Sequence, residues 1–158
     1  MKTKNSFSCW VKWDKRIGLK NKDLPGVYVI AISSTNLSGR KFSWLRKVRY
    51  IGMTKSRGGL HSRLGQFNSS IKTIRCKSHH GGAERFLYKY NTKKKLENLK
   101  RDLYVSICPF MCDVNSNTVK DLLIMGKVAE FEYVCFSKYS KKFGRLPWFN
   151  DKKRSPKH

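Results

Sequence analysis

Two charged residues in this 158-residue chain occupy positions where a charge is costly. Between residues 119 and 143, Ile124, Val128, Phe131, Cys135, Tyr139 and Phe143 recur at helical spacing and form one apolar stripe. Measured from Val128 at ~100° per residue, Glu132 falls at about 40°, inside that stripe, whereas Glu130 falls at about 200°, on the opposite face. Burying a carboxylate costs several kcal/mol unless it is paired or bound to a cation. The chain has only ten acids, so one of them in an apolar stripe needs a reason. Arg63 is the second such residue. Leu60, Leu64, Phe67 and Ile71 share one helical face, and Arg63 lies about 60° from Leu60, at its border. A guanidinium so placed meets something at a helix–sheet junction. It can grip a phosphate bidentately, which a lysine cannot imitate.

Several elements must position these groups. Leu24-Pro25-Gly26 is a turn signal, and residues 27–32, Val-Tyr-Val-Ile-Ala-Ile, read as a buried strand. Residues 33–43 read as a loop, and 46–53 as a second strand. The hairpin between them carries Arg40, Lys41, Arg46, Lys47 and Arg49. Residues 56–59 break the strand before the Arg63 helix, 60–71. A basic His- and Gly-containing loop, 72–82, precedes a short helix at 83–90. Residues 91–101 are a highly charged stretch, 103–108 a third strand ended by Pro109, and 119–143 a long helix. Asn117 or Thr118 is the N-cap of that helix and Gly144 its stop. Trp10 and Trp13, three apart, pack on the domain or stack on a base; packing is the commoner fate. No internal repeat or second domain is visible. The chain reads as one domain, 1–158, with a core of about 24–150 and basic extensions at both ends.

Thirty-five Lys and Arg against ten Asp and Glu give a net charge of +25, which favours a polyanionic partner. Nucleic acid fits, because phosphate contacts supply non-specific affinity. The plainer source of the charge is codon bias toward Lys. No segment has the ~18 apolar residues that span a bilayer, and no signal-peptide core precedes residue 24, so a membrane is not expected. Five irregularly spaced cysteines suit reduced thiols in a cytoplasm. Cys76, His79, His80, Cys108 and Cys112 come from distant segments without a second CxxC knuckle, so structural zinc is a minor alternative.

Gly26-Val27-Tyr28, then Tyr50-Ile51-Gly52, then a helix with Arg63, a later helix with Glu132 and a Pro147-x-x-Asn150 ending resemble, in that order, the GIY-YIG nuclease family. The resemblance spans about 24–150. It implies an α+β domain with a central three-stranded antiparallel sheet flanked by helices. It also implies hydrolysis of DNA phosphodiesters with Mg²⁺ or Mn²⁺. Carried over, Tyr28, Tyr50, Arg63 and Glu132 are the catalytic residues, Glu132 is the metal ligand, and Asn150 is the terminal asparagine. The chain departs from the family in a longer Tyr28–Tyr50 hairpin, the extra residues 56–59 and a long Glu132–Asn150 interval. Many members carry a His or Tyr one turn after the arginine, where this chain has Phe67. His61, His79 or His80 is the expected substitute, and Lys55 is near enough to assist.

A single carboxylate holds at most one metal, with waters and a substrate phosphate completing its shell. A phenol, with a reference pKa near 10, acts as general base only if cations or hydrogen bonds help it. Tyr28 or Tyr50 is the expected base, the other orienting water or phosphate. His79 and His80 are expected to border the cleft or contact phosphate, and the basic hairpin 40–49 and tail 152–157 to contact double-stranded DNA. The alternative is a basic DNA- or RNA-binding protein of the same fold without cleavage. The oligomer, monomer or homodimer, is left open.

Overall fold

The computed structural model describes residues 5–72 and 80–155. The strands are β1 (Val11–Lys12), β2 (Gly26–Ile32), β3 (Val48–Thr54) and β4 (Leu103–Pro109). The helices are α1 (Gly59–Lys72), α2 (Gly81–Lys89), α3 (Lys93–Asp102) and α4 (Val119–Phe143), with 3-10 turns at Trp13–Gly18 and Trp148–Asn150. The fold is α+β, built on one antiparallel sheet in the order β1-β4-β2-β3. The sheet has four strands where three were expected. Two-residue β1, pairing Val11 with Val105, is too short to show a period.

β2 is central, pairing with β3 on one side and β4 on the other, and is buried almost throughout. Alternation along it feeds two cores. Tyr28 and Ile30 join Leu60, Leu64, Phe67 and Ile71 of α1, Phe86 of α2, and Leu96 and Leu99 of α3. Val27, Val29 and Ala31 join Cys135 and Tyr139 of α4 on the opposite face. One irregularity matters. Ile30 pairs with Tyr50 but Ala31 with Val48, so Arg49 is an extra residue in β3. This bulge reverses the alternation. Val48 therefore packs toward α4 while Tyr50 turns to the α1–α2 face.

The N-terminal segment, read as a basic extension, is built into the core. Trp10 and Trp13 are both buried, on opposite faces of the sheet, so neither can stack on a base. Trp13 Nε1 donates to Asn68 Oδ1 at 2.9 Å. The long β2–β3 connection also packs: Leu37 is buried, and the Phe42 ring stacks on Phe7 at 4.1 Å. The charged stretch 91–101 forms α3, capped by Thr92 accepting from Lys95 N, with only Leu96 and Leu99 buried. α4 starts at Thr118, which accepts from Asp121 N, and ends at Gly144, whose φ of 72° lies in the left-handed region. Among the described residues, no helix is long and apolar enough to cross a membrane.

Candidate active site

The edge strand β3, α1, α2, α4 and the Trp148–Asn150 turn enclose a cleft of about 340 Å³. Tyr50, Arg63, Glu132 and Asn150 line it, together with Gly81, Gly82, Arg85 and Lys152. Four of the residues singled out in the sequence thus meet on one surface. Tyr28 lies directly beneath, fully buried, its ring 6.1 Å from that of Tyr50.

Two glycines make this close approach of the two phenols possible. A Cβ at Gly52 would stand 2.4 Å from Tyr28 Oη and 2.9 Å from Tyr50 Cε1. A Cβ at Gly82 would stand 2.5 Å from Tyr50 Cζ. Both positions are held by the rings themselves, so the glycine of Tyr50-Ile51-Gly52 is a requirement of close approach.

His80 organises the floor. It caps α2, its Nδ1 accepting from the backbone N–H of Gly82 at 3.1 Å and of Ala83 at 3.3 Å. With Nδ1 an acceptor, the proton of the neutral ring sits on Nε2, which lies 2.7 Å from Tyr28 Oη and donates to it. Burial, and then the nearby Arg63 charge, push the His80 pKa down to about 3, so the ring is neutral at physiological pH. The His80 and Phe67 rings meet at right angles, their centres 5.2 Å apart. His80 therefore reaches, from another segment, the neighbourhood of the position one turn after Arg63. It is fully buried, which removes it from direct contact with phosphate.

The charges around the cleft act on one another. Burial raises the Tyr28 pKa well above its ordinary value, and the neighbouring Tyr50 adds to this while Arg63 opposes it. Tyr50 is raised by burial and then by the Glu132 charge, against Arg63 and Arg85. Half-buried Glu132 is itself raised by burial, with Arg63 opposing. Among the described residues the carboxylate of Glu132 has no hydrogen bond and no ion pair within 4 Å; the ion pairs are Arg101–Asp102 and Arg154–Asp151. Exposed Glu130 is the routine solvated acid. Arg63 donates to the neutral Gln66 Oε1 at 2.9 Å, and among the described residues no carboxylate lies within 4 Å of it.

Asn150 does structural work. Its Oδ1 accepts from Ile51 N and its Nδ2 donates to Ile51 O, both at 2.8 Å. The side-chain amide thus completes the hydrogen bonding of the edge strand at the residue after Tyr50 and fastens the C-terminal turn beside the cleft. Lys55 and His61 are exposed and do not line the cleft. His79 and Cys76 lie outside the described residues. Among those described, no group of three or more His, Cys, Asp or Glu gathers as a metal cage. Buried Cys108 has its thiol pushed up to about 12.

Sequence reasoning missed Arg85 and had Lys152 only as part of the basic tail 152–157; the two add two positive charges to the cleft wall. Their signal was weak, since nothing in a basic chain marks one cation over another. Arg85 was recoverable from the helix start: with His80 as cap, it sits one turn after Gly81 and on its side. Compared with models of known protein families, with curated proteins and with solved structures, the chain matches none.

Proposed function

We propose that this protein is a metal-dependent endonuclease of the GIY-YIG kind that hydrolyses DNA phosphodiester bonds. One observation carries the reading: Tyr50, Arg63 and Glu132, from three different elements, line one basic cleft with Tyr28 beneath. Side chains remote in sequence gather at a point, and their chemistry suits phosphoryl transfer. The three longer strands, β2, β3 and β4, are consistent with the family's three-stranded sheet, with β1 added at one edge.

In this reading Arg63 grips two non-bridging phosphoryl oxygens, and Arg85 and Lys152 offset the backbone charge. Tyr50 first loses its phenolic proton to solvent; water then attacks phosphorus, the Tyr50 phenolate takes the water's proton, and the bond to the leaving sugar oxygen breaks, that oxygen acquiring a proton from solvent. Tyr50 is favoured over Tyr28 as base because it stands on the cleft wall. Tyr28, held by His80, supports its ring from below. Glu132, half-buried and without a cationic partner within 4 Å, suits a divalent ion of the Mg²⁺ or Mn²⁺ type that keeps most of its waters. Such an ion would polarise a phosphoryl oxygen and offset the Glu132 charge that helps hold the Tyr50 phenol protonated.

The test is incubation of the protein with supercoiled plasmid, branched DNA and single strands in the presence of Mg²⁺ or Mn²⁺. Nicked or linear product is expected, and Arg63→Ala or Glu132→Gln should abolish it while leaving the fold intact. If every substrate survives yet is bound, the protein is a nucleic-acid binder built on the same cleft.

A further inference from the structure

Beside the cleft, sharing Arg85 and Phe149 with it, is a second cavity of about 200 Å³, also lined by Tyr88, Lys89, Trp148 and Arg154. It is smaller than the ~300–1,000 Å³ typical of sites that enclose a whole small molecule. It therefore suits one group of a larger ligand. Its three cations are fixed in an unusual way. Lys89 Nζ stands 4.9 Å from the centre of the Trp148 ring, with Phe149 at 5.9 Å and Tyr90 at 6.0 Å. The Arg154 guanidinium stands 4.8 Å from the same indole. Arg85 donates to the carbonyl of Ser155. Aromatic faces and a carbonyl hold a cation in place without neutralising it, as a carboxylate would. Among the described residues no acid lines the cavity; Asp151, outside it, pairs with Arg154 at 2.8 Å. Among the described residues neither Lys89 nor Arg85 has a carboxylate within 4 Å. Burial, and then the nearby cation Arg49, lower the Lys89 pKa.

We propose that this cavity is a second phosphate subsite: it takes the phosphodiester next to the one held in the cleft. The shared Arg85 and Phe149 put the two sites one residue's width apart, so a nucleic-acid strand running from one to the other stays on basic ground. Lys89 is the principal contact, and Trp148 is the platform that keeps its ammonium facing the cavity. The inference rests on the nucleic-acid reading above. It adds that the strand passes over the Trp148 side of the cleft, and that the second phosphate adds affinity.

The experiment uses the full chain carrying Glu132→Gln, so that nothing is cut, and measures binding of a thymidine dinucleotide and of an octanucleotide as salt is varied. Lys89→Met should weaken octanucleotide binding by about tenfold at low salt and reduce the salt slope by about 0.7. It should leave dinucleotide binding unchanged. Lys127→Met, an exposed lysine that lines neither cavity, is the charge control. Equal effects of Lys89→Met and Lys127→Met, or an equal loss on the dinucleotide, overturn the proposal. Trp148 emission, identified by its loss in Trp148→Phe, should move with the octanucleotide and only weakly with inorganic phosphate. If inorganic phosphate binds there as tightly as the octanucleotide, the cavity serves free phosphate and the strand path is wrong. If the parent binds no oligonucleotide but phosphate still moves Trp148 emission, the nucleic-acid reading falls and the phosphate subsite stands. If neither ligand moves it, both fall.

Discussion

Replacing Gly52 by alanine tests the construction of the site at its tightest point. The added Cβ would lie 2.4 Å from Tyr28 Oη, 2.5 Å from Tyr28 Cζ and 2.9 Å from Tyr50 Cε1. Carbon contacts are comfortable from about 3.5 Å, so the Tyr28 ring would have to withdraw by about 1 Å. It is fully buried, and its oxygen is tied to His80 Nε2 at 2.7 Å. Overpacking of this kind costs about 1–3 kcal/mol. If the withdrawal breaks the His80 bond, leaving buried polar atoms unpaired, another 1–3 kcal/mol or so is lost. The expected destabilisation is therefore about 2 kcal/mol or more, read as a lower denaturation midpoint at unchanged m-value. Cleavage should fall with it, because Tyr50 is displaced by the same atom. Adding Tyr28→Phe removes the 2.4 Å contact but not the 2.5 Å one, so the double variant should recover part of the loss and the two substitutions should be strongly non-additive. A Gly52→Ala protein within about 0.5 kcal/mol of the parent would refute the packing of the two phenols.

Asn150→Asp keeps the size but sets a carboxylate oxygen against the Ile51 carbonyl, where Nδ2 now donates at 2.8 Å. A loss of about 1–2 kcal/mol is expected in denaturant unfolding, and an unchanged midpoint would show that the edge does not need this clasp. His80 has its pKa lowered from 6.5 in the unfolded chain to about 3 in the fold. The unfolded state binds the extra proton in that interval, so the stability His80 contributes is present above pH 6.5 and is lost as pH falls toward 3. The slope should approach 1.4 kcal/mol per pH unit or so. His80→Gln should lack this component of the acid slope, and identical slopes in the two proteins would contradict the buried neutral ring. Tyr50 is held protonated by burial and by Glu132, so the cleavage rate should climb from about pH 7 upward. A flat rate profile over that range would remove it as the base.

How much of this was legible in the sequence depended on whether a residue's neighbours were local. Glu132 and Arg63 could be placed by helical angle, because their own helices define the faces they border. Tyr28 and Tyr50 could be ordered along the chain but not brought together, since the ring contact depends on the Tyr28–Gly52 register. The bulge at Arg49 was invisible for the same reason. α3 escaped notice because only two residues in its ten are buried, so tertiary docking rather than a dense apolar stripe holds it. His80 read as one of several interchangeable histidines. What distinguishes it is the turn of backbone behind it and a tyrosine 52 positions earlier, and no local pattern joins those two.

The placement of the cleft at a sheet edge follows from the two-faced core. Arg63, Tyr28 and Tyr50 belong to the α1–α2 face, while Glu132 belongs to α4 on the other. A sheet keeps residues of its two faces apart except where it ends, so a site needing both an arginine from one layer and a glutamate from the other can form only at an edge strand. β3 is that strand. An edge, however, carries unpaired backbone groups that would draw water or another chain. Asn150 meets that difficulty by pairing both groups of Ile51, the residue between Tyr50 and Gly52. The asparagine is thus what lets an edge strand serve as the wall of a site. The same clasp brings Trp148 and Phe149 to the rim, where the second cavity begins. Loosening Asn150 should therefore disturb the cleft and the neighbouring subsite together, whereas Lys89→Met should touch only the second.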